Sequence, residues 1–171
     1  MTTAHVPSKR PASPLAGPYG HPFHAQVVTL PIGSFVASLL FDLGARLGWV
    51  DEAPAGFASA WLLVIGLAGT LLAMVLGVMD LSTIPDGTRA SRTAVVHGTV
   101  NSVAAVLLEL SAFVRFSRGT DEVPLVAFLL SVAGVLVLGV GGWLGGKLAY
   151  TYGVRVAREV VQEDGYRPTA V

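Results

Sequence analysis

Imidazole is the commonest metal ligand, a haem ligand, and the side chain whose charge changes near neutral pH. The chain carries His21 and His24 in GHPFH, His97 in VVHGTVN, and Asp80 at the close of a long uncharged run. If the apolar stretches are helices threaded back and forth, all four fall at one end of the bundle. Converging there, His21, His24, His97 and Asp80 could bind a metal, ligate haem or relay protons. A plainer alternative has His21 and His24 anchoring a helix among lipid headgroups, and His97 bonded to Asn101 or a facing serine. The opposite end carries carboxylates. Asp42 and Arg46 stand four apart on the first apolar run, a spacing that brings side chains together on a helix. Glu109 reaches a similar depth on the third run, about 25 Å along a helix from Arg92. An Asp42–Arg46 pair bridged to Glu109 would clamp two helices; a Glu109 kept partly protonated beside Asp42 would serve a proton or ion relay. The polar set inside the membrane is thus Asp42, Arg46, Glu109 and Asn101.

Long helices must hold these groups. Of 171 residues, 53% are hydrophobic and only 13% charged, against roughly 25% charged in soluble domains. Residues 57–79 and 124–146 contain no charge and exceed the roughly 20 residues that cross a hydrocarbon core. With 27–50 and 92–116 they predict an all-α membrane protein, a four-transmembrane-helix bundle spanning 21–153. Thr93, His97, Asn101, Ala105 and Glu109 recur every four residues as a small, polar seam, and Ser34, Ser38, Asp42 and Arg46 form a second ridge. Gly69, Ala73 and Gly77, and the glycines of LGVGGWLGGK, allow close helix approach; the GxxxG face also offers a homo-oligomer contact. Pro85-Asp86-Gly87 signals a turn. Residues 1–20, rich in proline, are expected as a disordered tail, and residues 154–171 as a tail with a short amphipathic helix over Val154 to Asp164.

Lys9, Arg10, Arg89, Arg92, Lys147, Arg155, Arg158 and Arg167 lie on the side of the termini, whereas Arg46, Arg115 and Arg118 lie opposite. That bias places both termini in the cytoplasm of a bacterial inner membrane. Zero formal net charge gives no footprint for nucleic acid, and the absence of cysteine excludes disulfides and thiolate metal sites from the chain. No nucleophile, base and orienting group stand at a catalytic spacing, so enzymatic activity is not expected.

The order GHPFH, LPIGSFVASLLFDL, IPDGTRASR, VVHGTVN, GWLGGKLAYTYGV resembles the bacterial membrane-protein family named for domain of unknown function 2231, over about residues 19 to 155. The resemblance implies four spans. Some relatives look joined to Rieske-type iron–sulfur domains, which implies a possible tie to membrane electron transfer and a redox partner. It also implies that the family's histidines map onto His21, His24 and His97, with a fourth where this chain has Tyr152, so a four-histidine metal site or bis-histidine haem site would lack one ligand. Three functions stay open: a structural or accessory bundle in the lipid bilayer, an electron-transfer or quinone-associated subunit, and a small transporter or proton pathway.

Overall fold

Uncharged runs of this length satisfy their backbone polar groups only within helices when surrounded by lipid. A computed structural model describes residues 7–167, and four of its helical stretches are long and apolar enough to cross a membrane: Phe23–Arg46, Glu52–Leu81, Arg89–Arg118 and Leu125–Thr151. Among the described residues there is no strand. The first stretch is two helices, α1 (Phe23–Val27) and α2 (Thr29–Arg46), separated at Val28 where Pro31 cannot donate back to the preceding turn. Then follow α3 (Glu52–Leu81), α4 (Arg89–Arg118) and α5 (Leu125–Gly146), the last running into a π-helical turn at Lys147–Thr151. Gly87, at φ 73°, makes the expected turn before α4, and Thr88 caps that helix by accepting from the Ser91 amide at 3.0 Å.

The helices form two hairpins, α2 with α3 and α4 with α5, joined through α3–α4 and α2–α5 contacts. That leaves α2 diagonal to α4. Within each hairpin the same contacts recur. The Ser38 hydroxyl donates to the Ser59 carbonyl at 3.0 Å, and the Ser111 hydroxyl to the Ala127 carbonyl at 2.7 Å. Phe35 fills the space over Gly66 and Leu108 the space over Gly134, where any Cβ would overlap them. The pairs Phe35/Leu108 and Ser38/Ser111 share one offset, 73 positions; Ser59/Ala127 and Gly66/Gly134 share another, 68. Since both hairpins run in the same direction, they are related by a pseudo-two-fold axis along the bundle. Its core is small: Phe35, Leu63, Leu108 and Ala112 cluster, while Leu40, Leu71, Phe113, Leu136 and Trp143 face outward as a lipid-facing surface would require.

The terminal segments depart from expectation. Residues 1–6 lie outside the described residues, but residues 7–20 are not an unstructured tail: they contain 3-10 turns at Pro7–Lys9 and Pro14–Ala16, with Ala16 buried. The cause is Arg155. Its amide donates to the Ser8 carbonyl at 2.8 Å, its Nη2 to the Ala16 carbonyl at 2.8 Å, and its Nε pairs with Asp80 at 2.8 Å. Arg155 sits at φ 59°, so the amphipathic helix expected from Val154 begins only at Glu159, as α6 (Glu159–Asp164).

Candidate functional site

The histidine end is built from two equivalent halves. His24, on α1, places Nδ1 2.8 Å from the Ala73 carbonyl of α3, and His97, on α4, places Nδ1 2.9 Å from the Gly141 carbonyl of α5. A carbonyl oxygen only accepts, so each Nδ1 carries a proton, and in the neutral form of either ring the lone pair is on Nε2. One helical turn beyond each carbonyl is a glycine. A Cβ at Gly77 would lie 3.1 Å from His24 Cε1, and one at Gly145 would lie 3.1 Å from His97 Cε1. Those bare backbones let each imidazole lie against the neighbouring helix and reach its carbonyl.

The two rings then meet across the pseudo-axis. Their centres are 6.3 Å apart and their planes cross at 86°. Asn101 locks the second half: its Nδ2 donates to the His97 carbonyl at 2.8 Å, and its amide packs where Gly141 has no side chain. His21 does not join them, because it is exposed and its Nδ1 lies 3.4 Å from the Tyr19 carbonyl. Asp80 is turned to Arg155, and the Tyr152 ring stands 5.7 Å from the Lys147 ammonium. The anticipated convergence of His21, His24, His97 and Asp80 is therefore reduced to His24 and His97. Among the described residues no group of three or more His, Cys, Asp or Glu is placed to hold a metal ion.

At the opposite end the expected Asp42–Arg46–Glu109 clamp is replaced by another. Arg115 pairs with Asp42 through Nη1 at 3.0 Å and Nη2 at 2.6 Å, and neither side chain is exposed. Ser59 donates to Asp42 at 2.5 Å, and Arg115 Nε donates to Ser111 at 3.4 Å. Arg46 bonds to the Val123 carbonyl at 2.8 Å and lies over the Phe128 ring at 4.6 Å. Glu109 is exposed on the outer face of α4, and Asn101 belongs to the histidine end. The physical reason is geometric. Arg46 is drawn away to the Val123 carbonyl and the Phe128 ring, whereas Arg115 enters from the diagonal helix and offers Asp42 two guanidinium nitrogens at once.

Arg115 was missed because it stands close to the end of its apolar run, where it reads as a loop charge. A signal was available. Serine follows His24 and His97 after 14 residues in each case, and Asp42 and Arg115 follow after 18.

A family model described as "Predicted membrane protein (DUF2231)" matches residues 20–158. The chain belongs to the DUF2231 family. The matched region of this DUF2231 protein takes in His24 and His97, the Asp42–Arg115 pair and Arg155. No curated protein and no solved structure matches the chain.

Proposed function

We propose that this DUF2231 protein is a non-enzymatic electron-transfer subunit of the bacterial inner membrane, with both termini cytoplasmic, which holds haem between His24 and His97. The observation that carries the reading is the two-fold pair of imidazoles, each with Nδ1 held by a backbone carbonyl so that the neutral ring offers the Nε2 lone pair; at His97 the Asn101 amide, 3.5 Å from Nε2, has to turn aside for a ligand. A backbone acceptor on Nδ1 fixes a ligating histidine's orientation and raises its basicity. Zinc sites use three or four protein ligands, whereas haem needs only axial ones, so two imidazoles fit haem and not zinc. The ring centres lie 6.3 Å apart, and His24 and His97 are the residues that would hold the group. Haem held by His24 and His97 would supply one-electron transfer. The residues of the chain do the rest: Ala73 and Gly141 hold the rings through their carbonyls, Gly77 and Gly145 make room for them, and Asn101 steadies the backbone of His97.

The test is the visible spectrum of the purified full chain, expressed with haem supplied. The expected result is an intense haem band that shifts on reduction, lost in His24→Ala and in His97→Ala and kept in His21→Ala. A colourless, iron-free preparation would overturn the reading and leave a structural bundle. Reporter fusions after Val171 test the orientation, a periplasmic signal reversing it.

A further inference from the structure

Glu109 is exposed on α4 seven residues before Phe116, whose ring meets Trp61 edge-on with centres 6.0 Å apart. Trp and Phe at the rim of such a bundle mark the membrane interface. At 1.5 Å per residue the carboxylate therefore lies about 10 Å inside a hydrocarbon core of about 30 Å. Among the described residues it has neither a hydrogen bond nor an ion pair. A carboxylate facing lipid at that depth is costly, and intramembrane acids pair with cations or donors.

The pseudo-symmetry supplies an internal control. The position equivalent to Glu109 on α2 is Val36, which is 40% exposed, and the lipid-facing ridge around it runs Ala25, Thr29, Ile32, Val36. On α4 the same ridge runs Gly98, Ser102, Ala105, Glu109, and a Cβ at Gly98 would meet nothing within 4 Å. One face suits acyl chains; its counterpart is narrower and charged. We infer that the α4 ridge is a docking seam for a transmembrane helix of another protein, one that carries a lysine or arginine at the depth of Glu109.

Charge complementarity selects that occupant. A second copy docked two-fold through α4 would set Glu109 against Glu109. Nor do the described residues offer a lipid-facing cation at that level: Arg115 is fully buried on Asp42, Arg46 is engaged by Val123 and Phe128, exposed Arg118 stands nine residues further on, about 13 Å beyond, and Arg92 and Lys147 belong to the histidine end. Small residues at Gly98, Ser102 and Ala105 let a partner backbone approach closely enough for its cation to reach the carboxylate.

The absence of cysteine allows Asp86→Cys, on an exposed turn, to carry a fluorescent donor on the full chain. The probe is an acceptor-labelled Leu/Ala helix with one lysine at the matching depth; its control has leucine there. In vesicles the lysine helix should bind about tenfold more tightly than the control. Glu109→Val should abolish that preference, and the fold will accept it because Val36 occupies the equivalent place. Moving the carboxylate across the axis, in Val36→Glu/Glu109→Val, should not restore the preference, because the α2 ridge lacks the small residues. Equal binding of both probes, or full binding by the transposed variant, would overturn the seam. So would Glu109-dependent energy transfer between copies of the chain itself. None of these outcomes depends on whether His24 and His97 hold haem.

Discussion

Asp42 and Arg115 occupy equivalent positions in the two hairpins, so the pseudo-axis brings a residue against its own counterpart. Identical residues there would have set like charge on like charge; opposite ones make a bidentate pair, fully buried, with a serine on each side. Removing one partner leaves the other charged and unpaired in a low dielectric. Asp42→Leu and Arg115→Leu should each destabilise by about 3–5 kcal/mol. Exchanging the two, in Asp42→Arg/Arg115→Asp, should recover most of that loss, because Ser59 and Ser111 carry hydroxyls that donate or accept as needed. Thermal unfolding of the four proteins in one detergent measures it. A double variant no better than the singles would show that the pair is fixed in direction by its surroundings. The sequence made Asp42 stand out yet offered Arg46 as its partner, since a neighbour on the same helix is visible in a string of residues and one on the diagonal helix is not. Glu109 was singled out for the same chemistry and stands on the outer face instead.

At the scale of single helices, glycine spacing decides how closely the rods pack. Gly77 and Gly141 are filled by neighbours, whereas a Cβ at Gly139 would meet nothing within 4 Å. Gly77→Ala would press on His24, and Gly141→Ala on the Asn101 amide, each costing about 1–3 kcal/mol by overpacking. Gly139→Ala should be neutral to within about 0.5 kcal/mol. Melting curves for the three variants separate a packed face from an open one, and similar losses at all three would remove the distinction. These ridges, and the four spans themselves, were legible because small residues at intervals of four and long uncharged runs are local patterns. The terminal elements were not. Proline-rich composition between residues 7 and 20 suggests disorder, but order there depends on Arg155, some 140 positions away. Arg155→Ala should free that segment, and trypsin should then cleave after Lys9 at least about tenfold faster, the Arg10–Pro11 bond being resistant. An unchanged cleavage rate would mean that other contacts hold the segment.

For the molecule as a whole, the recurrence of contacts at fixed offsets describes two helical hairpins that pack as equivalents, with the histidines at one end of the axis and the ion pair at the other. Identity between the halves is too sparse to announce this; the shared spacing of histidine, serine and a charged residue on α1/α2 and α4, and of glycines on α3 and α5, records it. The connection between the halves, from Ser82 to Thr88, exposes Asp86 and Gly87, buries Ile84 and contributes the cap of α4. If the axis holds the halves together, that covalent link is dispensable once the chain has folded. A protease site inserted between Asp86 and Gly87, cut in the purified protein in mild detergent, should leave two fragments that still elute together. The same cut in Arg115→Leu should release them, because the charge that joins α4 to α2 is gone and Asp42 is left facing an apolar partner. Co-elution in both proteins would assign the cohesion to the α3–α4 and α2–α5 faces. Separation in both would mean that the loop, and not the axis, keeps the hairpins in register.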